Sequence, residues 1–185
     1  MSFLQKGDTA LWLVDVQENL FSCIDRKDEV LDNICFFLRA ASILKLPLIV
    51  TEQYPKGLGR TVKTVLEFLP KKQPILEKTS FSGYFDKEVK RSVDAIEAKN
   101  WILIGIETHI CVLQTAKDLI AGGKNVIVLN DATSSRSLYD YSTAIAELKD
   151  CKARVSNCET VIYELIRDAS TPEFKELLPL IKRHD

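Results

Sequence analysis

An α/β domain built on a parallel sheet is what this chain predicts, on three observations. Short apolar runs alternate with helical patterns from end to end, polar residues gather where those runs stop, and no linker or repeat interrupts the alternation. The 185 residues suit one domain over positions 1–185, and 46% hydrophobic with 28% charged residues is an ordinary globular balance. A formal net charge of −1, with lysines scattered among acids, leaves no basic stripe for a phosphate backbone, so no nucleic-acid partner is expected. No window reaches the roughly 18 apolar residues of a membrane span, and the N-terminus has no basic stretch followed by an apolar core, so a cytoplasmic protein without membrane partners is expected. Cys23, Cys35, Cys111, Cys151 and Cys158 are odd in number and form no Cys-x-x-Cys pair, which argues for reduced thiols rather than a zinc cluster or a disulfide framework.

In order, Thr9 to Val14 reads as a buried strand running straight into Asp15, a carboxylate that is costly at such a place unless something uses it. Val30, Leu31, Ile34, Phe37, Leu38 and Ala41 trace one face of a helix from about Lys27 to Leu44, ahead of a second strand at Pro47 to Thr51. A loop, Glu52 to Arg60, leads to a helix at about Val62 to Phe68 and a short third strand, Pro74 to Glu77, ending at Lys78. A helix over about Phe85 to Ala98 precedes the fourth strand, Trp101 to Ile104. Gly105 marks a turn or a close approach, and Thr108 is a candidate N-cap for a helix on Val112, Ala116 and Leu119 that Gly122-Gly123 closes. Then come a strand at Asn125 to Leu129, the polar loop 130–136, a helix at Leu138 to Leu148, a strand at Lys152 to Ser156 and a helix at Glu159 to Ile166. Thr171-Pro172 caps a last helix reaching about Ile181.

Asp15, Lys78 and Cys111 each fall at or just after a strand's carboxyl end, and a parallel sheet brings such positions to one edge, where ligands bind in these folds. A thiol needs a base, and a carboxylate beside an ammonium can take its proton and hand it to a leaving group. The helix N-terminus and Lys78 favour the thiolate of Cys111 while Asp15 opposes it, and with the lysine close to both, Cys111 is expected to be the most reactive of the five thiols.

At these residues the chain resembles the isochorismatase-like cysteine hydrolases, in particular the metal-independent isochorismatase domain-containing proteins. The matching stretches are Leu13 to Gln17, Glu77 to Phe81, Gly105 to Val112, Asp131 to Arg136 and Asp168 to Lys175. The resemblance implies a three-layer α/β/α, Rossmann-like fold with strand order 3-2-1-4-5-6, and a catalytic triad of Asp15, Lys78 and Cys111. It also implies a non-proline cis peptide at Ile106–Glu107 that turns the amides of Glu107 and Cys111 into an oxyanion hole. The implied activity is hydrolysis of a small amide, ester or vinyl-ether-like substrate through a covalent cysteine intermediate, without cofactor, by a homo-oligomer, dimer or tetramer. Nicotinamidases of the family carry Asp and His metal ligands after the second strand; that loop has neither here, so no metal is expected.

Gln17, Phe81, Tyr84 and Thr108, with Trp12, are candidates for the wall of a small pocket, and Ser134-Ser135-Arg136 for a site or interface loop. Competing readings are weaker. A Cys–His pair would need His109, two residues from Cys111 and on another side of a helix, or His184 in the tail. Gly57-Leu58-Gly59 with Glu77 lacks the third glycine of a dinucleotide loop. A non-catalytic interaction protein that retains the fold is the alternative to an enzyme.

Overall fold

Runs apolar on both faces can only lie inside a sheet covered twice, and the computed structural model, which describes residues 3–182, places them so. The strands are β1 (Thr9–Val14), β2 (Leu48–Gln53), β3 (Ile75–Lys78), β4 (Asn100–Ile106), β5 (Asn125–Ser134) and β6 (Arg154–Ser156). They form one sheet in the order β3-β2-β1-β4-β5-β6, every pairing parallel, as the resemblance implied. β1 and β4, its central pair, are buried at every position.

The helices among the described residues are α1 (Glu18–Phe21), α2 (Lys27–Ile43), α3 (Pro55–Leu58), α4 (Lys63–Leu66), α5 (Lys87–Asp94), α6 (Leu113–Ala121), α7 (Leu138–Asp150), α8 (Cys158–Ile166) and α9 (Pro172–Ile181). Alternate strand residues face opposite ways. Leu11, Leu13, Ile102 and Ile104 join α2, α8 and α9 in one core, while Ala10, Trp12, Val14, Trp101 and Leu103 join α5, α6 and α7 in the other. Burying each such aliphatic side chain stabilises by roughly 1.5–3 kcal/mol, which fixes the register and so the height of every strand end.

Four local expectations change. The helices expected over 62–68 and 85–98 shrink to α4 and α5, the latter starting where the Asp86 side chain accepts the amides of Glu88 and Val89. The single turns α1 and α3 are set by loop contacts, not by periodicity. Residues 130–134, expected as a polar loop, extend β5 after a register shift, so that Thr133 and Ser134 pair with Gly105 and Ile106. Their polarity is compatible with burial because each hydroxyl finds a carbonyl, Thr133 that of Leu129 and Ser134 that of Asp25. Thr108 is not an N-cap: that position is Glu107, and the Thr108 hydroxyl donates across to the Ser134 carbonyl at 2.9 Å.

Candidate active site

β1 runs directly into Asp15, whose backbone adopts φ 53° and whose side chain has no solvent exposure. Both carboxylate oxygens are engaged. Oδ1 accepts the Thr51 hydroxyl at 2.7 Å, itself an acceptor for the Trp12 indole N–H, and Oδ2 accepts Lys78 Nζ at 2.6 Å. Lys78 closes β3, and its ammonium also donates to Gln53 Oε1 at 2.7 Å and to the carbonyls of Ser80 and Phe81. Four oxygens around three N–H groups, one of them a carboxylate's, make a lysine tolerable away from water. Thr51 and Gln53 were missed as site residues. The available signal was their place at the carboxyl end of β2, beside β1 and β3.

Cys111 follows β4 in a π-helical turn, Thr108–Val112, that leads into α6, a helical variant often found where a side chain must be placed for function. It is 4% exposed and close enough to Asp15 and Lys78 to feel both charges. The three side chains expected at one edge are thus together. Their balance, however, reverses the expected thiolate. Burial, first, and the Asp15 charge push the Cys111 thiol far above its usual range, with Glu107 adding to this and only Lys78 pulling it down. Burial and Asp15 thus favour the thiol form of Cys111 over the thiolate, beside the Asp15–Lys78 ion pair.

No peptide bond among the described residues is cis, and Ile106–Glu107 is trans, contrary to expectation. The chain turns there because Glu107 itself takes the left-handed conformation, φ 56° and ψ 57°. Its side chain, 4% exposed, is held by Arg136 at 3.0 Å.

Of the proposed pocket residues, three are scaffold. Gln17 bonds the backbone N–H and carbonyl of Gln53 and the carbonyl of Gly59. Tyr84 is buried, its hydroxyl bonded to Asp94 and Lys90, and Thr108 is tied to β5. Trp12 packs edge-on to Trp101, ring centres 6.0 Å apart. Phe81 is 55% exposed and lines, with Phe85, Gln114 and Asp118, a cleft of about 340 Å³. A second cleft, about 330 Å³, borders Lys78 between Tyr54, Lys56, Thr79 and Asp86. Two rival motifs are otherwise engaged, His109 Nδ1 lying 2.9 Å from Ser135 Oγ and Glu77 pairing with Arg60, while His184 lies outside the described residues.

Residues 9–160 match the model of the isochorismatase domain. The chain is 36% identical to the secreted isochorismatase effector Isc1 of Phytophthora sojae, over 95% of this chain and 85% of that one. Among solved structures it superposes with a TM-score of 0.92 on the MAR1 ribonuclease of Caenorhabditis elegans, at 39% identity over 98% of this chain and 93% of that one. With YcaC of Pseudomonas aeruginosa, solved with hexane-2,5-diol and covalent acrylamide, the TM-score is 0.91, at 25% identity over 99% and 94%. With a family domain over most of its length, these relatives and this sheet order, the chain belongs to the isochorismatase family and is an isochorismatase-like hydrolase.

Proposed function

We propose that the protein hydrolyses a small amide through Cys111, with Asp15 as proton carrier and Lys78 as the fixed positive charge. The observation that carries this is the pairing of Lys78 with Asp15 at 2.6 Å, both side chains without exposure, beside the thiol. The proton of Cys111 passes to Asp15 as sulfur attacks the carbonyl carbon, and charge moves from carboxylate to sulfur to the carbonyl oxygen. That oxygen needs donors beside Cys111, and with Ile106–Glu107 trans we assign this to backbone amides of the turn that carries Cys111. Asp15 protonates the departing amine, a thioester remains, and water attacks it as Asp15 takes one of its protons. The carboxylic acid leaves and the thiol is restored. An ester follows the same path, and a vinyl-ether-like substrate would use the same acid. The covalent acrylamide in the Pseudomonas relative supports a nucleophile of this kind here.

The proposal includes no metal or cofactor, a cytoplasmic location and a homo-oligomer, dimer or tetramer. Among the described residues no helix is long and apolar enough to cross a membrane. RNA cleavage, suggested by the name of the Caenorhabditis neighbour, is the second reading. It is less favoured because a phosphodiester needs free cations, and Lys78 is already shared among Asp15, Gln53 and two carbonyls. A screen of small amides, esters and an RNA oligonucleotide with wild-type protein and Cys111→Ala tests all of this. Amide turnover lost in the variant is expected; turnover that survives it, or cleavage of RNA alone, would overturn the reading. Light scattering at working concentration reads the assembly, and a monomer mass would count against the oligomer.

A further inference from the structure

The motif Ser134-Ser135-Arg136 has no part in the chemistry above, yet it meets the nucleophile's turn residue against residue. The Ser134 carbonyl accepts the Thr108 hydroxyl at 2.9 Å, Ser135 Oγ lies 2.9 Å from His109 Nδ1, and Arg136 Nη2 donates to Glu107 Oε2 at 3.0 Å, with Nε 3.3 Å from both oxygens. Two contacts anchor the motif in turn: Ser134 Oγ donates to the Asp25 carbonyl, and the Asp25 amide to the Ser135 carbonyl. Three consecutive residues at the end of β5 thus hold the three that lead into Cys111, and the first of those, Glu107, is a buried carboxylate in a left-handed backbone conformation.

We propose that Arg136 is a positioning residue for Cys111, holding Glu107 in its turn and offsetting part of the carboxylate charge that acts on the thiol. This rests on Cys111 being the nucleophile, but its test does not need the substrate. The charged groups facing the thiol are Asp15, Lys78 and Glu107; those facing Glu107 are Arg136 and His109, at 3.5 Å; those facing Arg136 or His109 include Asp140, while Cys23 faces Arg136. Asp15 is balanced by Lys78 from inside. Glu107, which also raises the thiol, depends for its balance on an arginine whose side chain is 55% exposed.

The experiment is iodoacetamide modification at pH 8 to 10 with peptide mapping. Cys158, buried at the start of α8, is the internal reference for unfolding. Arg136→Met is expected to slow Cys111 about threefold, the effect of half a pKa step, while Arg136→Lys stays near wild type. Glu107→Gln should speed Cys111, and Glu107→Gln with Arg136→Met should recover the rate that Arg136→Met alone loses. A purely structural role would expose the thiol, speed it in Arg136→Met and give no recovery in the double variant, which would overturn the proposal. So would an unchanged rate in Glu107→Gln, an arm that stands even if Arg136→Met fails to fold. Acceleration by Asp15→Asn with Arg136→Met inert would sink the role of Arg136 and leave the Cys111 reading standing.

Discussion

Lys78 Nζ lies 2.6 Å from Asp15 Oδ2, with neither side chain reaching solvent, across 63 residues of sequence. Breaking a buried pair leaves one charge without its partner, at about 3–5 kcal/mol. Lys78→Met is therefore expected to lose that much stability in urea titrations, since Asp15 keeps the neutral donors Thr51 and Cys111 but loses its cation. Asp15→Asn leaves an amide oxygen for Lys78 and should cost less, while both variants lose turnover by about a thousandfold. Equal stability of Lys78→Met and wild type would show that the pair is not buried in solution.

Thiol reactivity follows from the same charges. Cys23 is exposed and should alkylate first at pH 7, whereas Cys111, buried and raised by burial and Asp15, should lag and keep accelerating with pH beyond 9. Asp15→Asn should speed Cys111 by about tenfold, since removing a nearby negative charge lowers the thiol pKa. Time-resolved peptide mapping reads both effects. Cys111 outpacing Cys23 near neutrality would restore the resting thiolate expected from the helix terminus.

Buried thiols also set the alkaline limit. Burial raises Cys35 from 9.0 to about 11, helped by Asp32, and drives Cys111 and Cys158 higher still. A group whose folded pKa is raised contributes stability that is complete below its unfolded value. That stability is lost as pH rises from there toward the folded value, because the unfolded chain then releases the proton first. Stability should thus fall from about pH 9 upward, at about 1.4 kcal/mol per pH unit for each thiol. Cys158→Ala should remove one thiol's share of the slope. Denaturant titrations at pH 8 to 11 check this, and parallel curves for variant and wild type would contradict it.

Gly105 sits where β4 presses on β1. Its φ is 137°, and a Cβ placed there would lie 2.2 Å from the Val14 carbonyl oxygen, an atom of the central strand that cannot give way. Gly105→Ala is expected to cost more than about 4 kcal/mol or prevent folding. Gly123→Ala, at φ 81° with nothing within 4 Å, should cost only the left-handed penalty of about 1–2 kcal/mol. Thermal melts of the two variants make the comparison. Similar melting points would mean that the strands can part at Gly105.

The alternation of strands and helices, β1 to the residue, and the placement of Asp15, Lys78 and Cys111 at or just after strand ends are legible in the sequence. These depend on local apolar periodicity, and a parallel sheet turns strand ends into neighbours. The strand order and the identity of the triad came from family resemblance, and the order agrees. The rest exists only in the folded chain. The extension of β5, the left-handed Glu107 in place of a cis peptide, and Thr51 and Gln53 around the acid and the ammonium all depend on partners more than twenty residues away. The state of Cys111 was decided there too. A helix terminus is a local feature visible in sequence, but burial and the distance to Asp15 exist only after folding, and at this site they outweigh it.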